Sequence, residues 1–227
     1  MKSILVVPRA QLFPGLSPQG FLPPDSLDLE RLSPHLFFAE RSYMETNSHF
    51  KQIIPYLVLQ RSRGSEMRVL AYQRRTKHSE RRLGGLWSVG FGGHIEPLDR
   101  SDPGVATRGL VKAAALRELS EETGLEVTNG QLVCSGYINS DAEDVSSVHL
   151  GIVYRVDLDA HPEDDAELVA RVSAQAEPQQ ARWLLAAALP AMVEPGRGPD
   201  GGSFEDWSRI AVRGLFTAGE ASRSAGA

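Results

Sequence analysis

The sequence has almost no cysteine and no long apolar run. Cys134 is the only cysteine among 227 residues, so an internal disulfide is impossible and a reducing compartment is the natural expectation. No apolar run approaches the length of a membrane span. The short apolar run near the start is not followed by a small-residue cleavage site, which predicts a strand instead of a signal peptide. We therefore expect a cytoplasmic chain with no membrane partner.

An excess of positive charge is also missing. The formal net charge is -5 at pH 7, which argues against a broad surface for nucleic acid. Neither the ligand spacing of a zinc site nor a phosphate-binding P-loop occurs. An acidic chain can still bind a small anionic ligand when a divalent cation supplies the positive charge. We expect a small-molecule substrate and no nucleic-acid polymer, and we leave a homodimer open.

The pattern of breakers and apolar runs divides the chain into three parts. Residues 1–50 are interrupted by prolines and are expected to form an N-terminal extension packed on the domain, with a strand at Ile4–Val7. Residues 51–193 carry the domain, and residues 194–227 are expected to form a C-terminal helix, over Phe204–Phe216, and a flexible tail.

Short apolar runs rich in β-branched residues alternate with helical patterns in the domain. The runs that predict strands are Ile53–Leu59, Met67–Gln73, Leu86–Phe91, Leu132–Ile138, Val148–Val156 and Ala181–Leu185. A helix is predicted from about Val105 to Thr123, with Asp102 as its cap and Gly124 just past its end. This alternation predicts an α/β fold, an α/β/α sandwich around a mixed β-sheet.

Three glutamates fall on one stripe of this helix. At about 100° per residue, Glu118 and Glu122 are about 40° apart and Glu121 lies about 60° to the other side. Like charges at this spacing destabilise an isolated helix, and hard divalent cations would compensate for them. Arg117 lies one turn before Glu121 and can pair with it. A solvated helix face is the ordinary alternative for a stripe that stands alone.

The same segment resembles the Nudix box. Residues 117–125 fill its second half, Arg-Glu-apolar-any-Glu-Glu-any-Gly-apolar, and Gly93 fills its opening glycine. Two departures occur: Asp99 stands where the box has its first glutamate, and the spacer from there to Arg117 has seventeen residues instead of seven. We expect the extra residues, at about 100–110, to form a surface loop that tolerates shortening and leaves the helix undisturbed.

The resemblance covers roughly residues 50–190 and implies a function. Fragment 50–56 and the long spacer are also similar to a bacterial Nudix subgroup of predicted phosphoesterases. A Nudix hydrolase would cleave a diphosphate linkage in a nucleoside-diphosphate-X or a related phosphorylated metabolite, with Mg²⁺ or Mn²⁺ as cofactor. The implied metal ligands are the carbonyl oxygen of Gly92 and the side chains of Glu118, Glu121 and Glu122. Arg117, Glu118 and Glu121 form the implied catalytic set.

Additional site residues are expected outside the box. Many family members add an acidic residue from a downstream loop, and Glu177 is the candidate here, both as a metal ligand and as a catalytic group. The alternatives are Glu163, Asp164 and Asp165, or a solvated acidic loop. Arg74 and Arg75 begin a basic loop that could bind the phosphates of the substrate, and a solvated loop is the alternative.

Two other functions stay open. An enzyme like isopentenyl-diphosphate isomerase would share the fold but use a reactive cysteine near the glycine turn, where this sequence has none. A non-catalytic Nudix-fold ligand-sensing module would have an eroded box and an added DNA-binding domain. This box keeps its glutamates, and residues 195–227 are too short for a winged helix. His94 and Cys134 are interpreted as structural residues.

Overall fold

The apolar runs join into one mixed sheet in the computed structural model of the chain, which describes residues 2–75, 84–100, 106–175 and 178–217. Ten strands lie within these ranges. In chain order they are β1 (Ser3–Pro8), β2 (Gly20–Leu22), β3 (Phe37–Glu40), β4 (Phe50–Arg63), β5 (Glu66–Arg74), β6 (Trp87–Ser88), β7 (Gly90–Phe91), β8 (Leu132–Asn139), β9 (His149–Asp157) and β10 (Pro178–Leu185).

Two long central strands organise the sheet. β4 and β9 pair in parallel, with Gln52 opposite His149, whereas the other strand pairs of the described residues are antiparallel. The strand order is β10-β5-β4-β9-β8-β2, and β1 pairs with both β3 and β4. Three strands from residues 1–50 therefore hydrogen-bond within the same sheet as the domain.

Helices cover both faces of this sheet. The α-helices of the described residues are α1 (Arg9–Leu12), α2 (Leu29–Leu32), α3 (Arg41–Met44), α4 (Thr107–Thr123), α5 (Asp144–Ser147), α6 (Asp165–Ser173), α7 (Leu189–Met192) and α8 (Asp206–Phe216). Leu119 of α4 and Leu168 of α6 lie in the core on one face, and Leu189 of α7 and Val212 of α8 lie in the core on the other. The predicted α/β/α sandwich is confirmed. No helix among the described residues is long and apolar enough to cross a membrane.

The strand predicted at Leu86–Phe91 is interrupted. It forms two short strands, β6 and β7, because the hydroxyl of Ser88 donates to the carbonyl oxygen of Gly90 at 2.9 Å and accepts from its N–H at 3.1 Å. This side chain replaces ladder hydrogen bonds at the break. The sequence pattern did not reveal it because the apolar residues continue through Val89.

The start of the box helix differs from its prediction. Ala106 holds the N-cap position of α4 and gives no side-chain cap, and Asp102 lies outside the described residues. The carboxylate of Glu30, in α2, accepts hydrogen bonds from the backbone N–H groups of Thr107 at 3.1 Å and Arg108 at 3.0 Å. A distant glutamate therefore performs the capping that was expected from a neighbouring aspartate.

The second half of the long spacer belongs to the box helix. Thr107 and Leu110 are buried in the first turn of α4, so the expectation that residues 100–110 form one dispensable loop was wrong for its second half. The other end of the helix follows the prediction, because Gly124 has φ 70° and adopts the left-handed conformation that ends helices.

Candidate active site

A glycine turn after β7 approaches α4 closely. Gly92 has φ 150°, and a Cβ atom at this position would lie 1.9 Å from the carbonyl oxygen of Pro55. A Cβ atom on Gly93 would lie 2.4 Å from a carboxylate oxygen of Glu118. A larger residue at position 92 would clash with the backbone of Pro55, so this glycine is needed for the approach, whereas a side chain at position 93 would displace the carboxylate of Glu118 from the turn.

The turn brings two of the three box glutamates together. The backbone N–H of Gly92 donates to Oε2 of Glu122 at 2.9 Å, and the carboxylate of Glu118 packs against Gly93. Burial raises the pKa of Glu118. The side chain of Glu121 is 60% exposed and lies at the rim. The helix stripe predicted from the sequence therefore faces the glycine turn.

Arg117 connects the box carboxylates to Asp99. Its Nε and Nη2 atoms donate to the two carboxylate oxygens of Asp99 at 2.7 Å and 3.0 Å. Its Nη1 atom donates to Glu118 at 2.7 Å and to Glu121 at 3.2 Å, so the predicted pairing of Arg117 with Glu121 is confirmed. The hydrogen bond to Asp99 raises the pKa of Arg117, which keeps the guanidinium charged.

Asp99 is a site residue that the sequence interpretation left without a role. It is buried at the end of a 3-10 turn, Pro97–Asp99, where the N–H of Glu96 donates to its Oδ2 at 2.8 Å. Its place at the first acidic position of the box pointed to it. The aspartate in place of glutamate and the long spacer obscured that assignment.

The two candidate substrate arginines occupy different environments. Arg74 donates from Nε to the buried carboxylate of Glu205 at 2.9 Å, and that carboxylate also accepts from Ser88 Oγ at 2.7 Å. This contact fixes Arg74 between the sheet and the start of α8. Arg75 is exposed. The basic loop that follows, 76–83, lies outside the described residues.

Glu177 lies outside the described residues, but its neighbours in sequence are described. Gln175 approaches the end of the box helix, where its Nε2 lies 3.0 Å from the position of a Cβ atom on Gly124. Pro178 begins β10 and pairs with Arg74 of β5. The described chain on either side of Glu177 therefore reaches two parts of the site region.

The three alternative acidic residues have other partners. Glu163 forms an ion pair with Arg171, and Asp164 caps α6 through the N–H groups of residues 166 and 167. Asp165 accepts from Arg61 at 3.1 Å and from Arg63 at 2.9 Å. These contacts stabilise the segment that precedes β10.

The donor chemistry of the box fits a hard divalent cation. Within the described ranges no three His, Cys, Asp or Glu side chains lie close enough to hold one metal ion. However, the side chains of Glu118, Glu121 and Glu122 and the carbonyl group of Gly92 offer only oxygen donors. Carboxylate and carbonyl oxygens are the ligands that Mg²⁺ and Mn²⁺ prefer.

Comparison with known proteins identifies the family. The family model described as NUDIX domain matches residues 54–206. Protein YmaB of Bacillus subtilis (strain 168) is 35% identical over 161 residues, which are 68% of this chain and 75% of that protein. The chain therefore belongs to the Nudix family and is a Nudix hydrolase, an enzyme class that cleaves pyrophosphate linkages.

Solved structures show the same fold. Tm1382, described as a Nudix hydrolase, is similar with a TM-score of 0.65 and 24% identity, covering 95% of this chain and 98% of that chain. The NUDIX hydrolase of Alicyclobacillus acidocaldarius gives a TM-score of 0.51 and 14% identity, covering 73% of this chain and 91% of that chain. At these identities the likeness concerns the fold alone, and it agrees with the predicted Nudix-type sandwich.

Proposed function

We propose that this Nudix hydrolase requires Mg²⁺ or Mn²⁺ and cleaves the diphosphate linkage of a nucleoside-diphosphate-X or a related phosphorylated metabolite. The observation that carries the proposal is the convergence of Glu118 and Glu122 on the turn at Gly92 and Gly93. A solvated helix face would not place one carboxylate on a backbone N–H of the turn and pack a second one against it.

The box residues would hold the cation. Glu118, Glu121, Glu122 and the carbonyl oxygen of Gly92 are the proposed ligands. When bound, the cation neutralises charge on the diphosphate oxygens and lowers the pKa of a water molecule. The rigid helix and the glycine turn keep the carboxylates in place before the substrate arrives, which favours stabilisation of the transition state.

The reaction itself is a hydrolysis. Water attacks one phosphorus atom, the bridging P–O bond breaks, and a box carboxylate accepts the proton of the water. The products are a phosphate monoester and a second phosphorylated fragment. Arg117 orients Glu118 and Glu121 through its hydrogen bonds, and Asp99 fixes Arg117 in turn.

Two groups outside the box belong to the same proposal. Glu177 supplies a further carboxylate as a metal ligand and catalytic group, and Arg74 and Arg75 bind the phosphates of the substrate. Exposure of Arg75 leaves it open to solvent and to a ligand. The Arg75→Ala variant is expected to raise KM while kcat stays unchanged, because a phosphate contact made equally in the ground and transition states contributes only to binding.

A substrate screen tests the proposal. The full chain is incubated with nucleotide sugars, dinucleoside diphosphates, nucleoside triphosphates and non-nucleotide diphosphates, with millimolar Mg²⁺ or Mn²⁺ and with excess chelator. We expect metal-dependent release of a phosphate monoester from at least one compound and a higher melting temperature with metal. Full activity in chelator would contradict the metal mechanism. Ligand binding without turnover would favour the ligand-sensing alternative.

The location and the oligomeric state are tested separately. The single cysteine favours a cytoplasmic location, which fractionation of the source cells tests. The homodimer stays open, and light scattering coupled to size-exclusion chromatography tests it. A monomer at micromolar concentration would remove the dimer from the proposal.

A further inference from the structure

Three side chains beside the glycine turn converge on one point. Gln52 begins the part of β4 that pairs with β9, His149 begins β9, and His94 follows the glycine turn. The Nε2 atom of His94 lies 2.8 Å from Oε1 of Gln52 and 3.4 Å from Nε2 of His149. Both histidines are half-buried residues.

Backbone carbonyl groups orient two of these side chains. The carbonyl oxygen of Val145 lies 2.5 Å from Nδ1 of His149, which assigns the ring proton to Nδ1 and leaves a lone pair on Nε2. The side-chain amide of Gln52 donates to the carbonyl oxygen of Met44 at 3.2 Å, which turns its Oε1 toward His94. A histidine that donates its second N–H to a backbone carbonyl is the usual arrangement for a metal ligand.

If the three side chains are joined by hydrogen bonds only, the lone pair on Nε2 of His149 has no donor of its own. If Nε2 of His94 carries the ring proton, Oε1 of Gln52 accepts it at 2.8 Å. The Nε2 atom of His149 is then 3.4 Å from the Nε2 atom of His94, whose proton already has an acceptor, and this separation is long for a hydrogen bond. No other donor to this atom occurs in the part of the chain that the structure describes.

The distances match two imidazoles on one metal ion. With Zn–N bonds of about 2.0–2.1 Å and tetrahedral angles, two ligating nitrogens lie about 3.3 Å apart. The observed separation of the His94 and His149 Nε2 atoms is 3.4 Å. An amide oxygen is a third possible ligand, and a water molecule would complete four-coordination.

We propose that Gln52, His94 and His149 form a second metal site, which takes a transition-metal ion of the Zn²⁺ class and is distinct from the glutamate site. Imidazole nitrogens suit Zn²⁺, whereas the all-oxygen box suits Mg²⁺ and Mn²⁺, so the two sites select different ions. The site adjoins the box because the carbonyl oxygen of His94 accepts a hydrogen bond from Arg117 at 2.9 Å.

Cobalt absorption tests this site independently of activity. Co²⁺ is titrated into the full chain carrying Glu122→Gln, with excess Mg²⁺ to occupy the remaining box oxygens. We expect the intense visible absorption of four-coordinate Co²⁺ at one equivalent, and its displacement by Zn²⁺. Adding His149→Gln should abolish the bands and weaken Zn²⁺ binding by at least about tenfold. The control is His49→Gln, which changes an exposed histidine and should leave the titration unchanged.

A variant that binds metal more tightly gives a test whose result misfolding cannot imitate. Gln52→Glu places a charged oxygen ligand where the amide stands, so it should tighten Zn²⁺ binding and raise the melting temperature in Zn²⁺ more than in chelator. A purely hydrogen-bonded cluster predicts no metal effect of this substitution. Absence of four-coordinate Co²⁺ bands in the Glu122→Gln chain, or a Zn²⁺ affinity that Gln52→Glu leaves unchanged, would overturn the proposal. A lack of hydrolase activity at the glutamate site would not count against the proposed second metal site.

Discussion

Arg117 donates hydrogen bonds to both carboxylate oxygens of Asp99, at 2.7 Å and 3.0 Å. Asp99 is buried, and the N–H of Glu96 holds one of its oxygens at 2.8 Å. The same guanidinium also donates to Glu118 and Glu121. Asp99 therefore sets the position of the arginine that orients two box carboxylates.

Removing the charge of Asp99 should impair both stability and turnover. In Asp99→Asn the guanidinium of Arg117 keeps its shape but loses a charged, bidentate partner, so we expect the free energy of unfolding to fall by about 2 kcal/mol. We also expect kcat to fall by about tenfold because Glu118 loses its fixed donor. Urea unfolding and steady-state kinetics measure the two effects.

A matched control is Asp25→Asn, which removes the same charge from an exposed position. It should leave both quantities unchanged. Asp99→Glu, which restores the glutamate of the Nudix box, should retain part of the activity. Equal stability of the Asp99→Asn and parent chains would show that the pair does not hold Arg117.

Glu122→Gln should separate catalysis from folding. Its amide oxygen can still accept the hydrogen bond from the N–H of Gly92, so the melting temperature should change little. Loss of the negative charge should lower kcat by roughly a hundredfold or more. The neighbouring exposed Glu126→Gln is the control and should keep full activity. A Glu122→Gln enzyme with parental kcat would remove this residue from the metal site.

The helix stripe was predictable because it depends only on local geometry. Once Arg117–Thr123 is helical, the angular positions of Glu118 and Glu122 follow from the helix repeat. Packing of Ala114 and Leu119 into the core then fixes which way the stripe faces. The long strands were predictable because each follows from a local apolar run, whereas the short strands β2 and β3 within residues 1–50 were not predicted.

Contacts between distant segments were not predictable from one sequence. Glu30 caps α4 from another helix, and Arg74 pairs with Glu205 across the sheet and α8. Such contacts depend on the paths of the loops that connect distant elements, and the spacing of apolar residues does not predict these paths. The break at Ser88 is local but depends on a side-chain hydrogen bond, which competes with the strand ladder without altering the apolar pattern.

The spacer should tolerate deletion only before α4. Removing residues 101–105 should leave the chain folded because these residues precede the helix and surface loops vary in length at small cost. Removing Thr107–Leu110 should unfold it, since Leu110 belongs to the core. Circular dichroism and thermal melting distinguish the two deletions. A folded chain without Leu110 would show that the first turn of α4 is dispensable.

Loss of the helix cap supplied by Glu30 should lower the free energy of unfolding by less than loss of the Asp99 charge. Glu30→Ala leaves two backbone N–H groups of α4 without their acceptor, so the free energy of unfolding should fall by about 1 kcal/mol. The control is Glu66→Ala, at an exposed position in the β4–β5 hairpin. Equal losses in the two variants would mean that solvent replaces Glu30 at the helix start.

Stability should rise with pH above pH 8 because of Lys51. Its side chain is fully buried and donates to Asp141 at 3.1 Å and to the carbonyl oxygen of Ser146 at 3.3 Å. Burial lowers the pKa of Lys51 to about 8, although Asp141 opposes the shift, and Arg9 adds to it. An unfolded lysine titrates at about 10.4, so between these values the unfolded chain binds more protons and stability increases with pH.

The difference between two chains isolates this effect. The free energy of unfolding of the parent chain minus that of Lys51→Met should increase from pH 8 to pH 10, by at most about 1.4 kcal/mol per pH unit. The same difference taken with Lys112→Met, at the surface of α4, is the control for removing a lysine. Parallel curves for the parent and Lys51→Met would show that Lys51 keeps its proton in the folded chain.

Glu177 is tested against Glu163, the acidic residue that the structure pairs with Arg171. Two residues that flank Glu177 in the sequence lie near the site: Gln175 approaches Gly124, and Pro178 pairs with Arg74. This placement of its neighbours is why Glu177 is the candidate. We expect Glu177→Gln to lower kcat, by less than Glu122→Gln if it assists a metal ligand and by about as much if it accepts the proton. Glu163→Gln should leave kcat unchanged and cost some stability, because it weakens the ion pair with Arg171, whose Nη1 donates to the carbonyl oxygen of Gly124 at 3.3 Å beyond the box glutamates. Unchanged kinetics and unchanged Mg²⁺ affinity in Glu177→Gln would identify it as a solvated loop residue. A fall in kcat for Glu163→Gln would make that residue the further ligand instead.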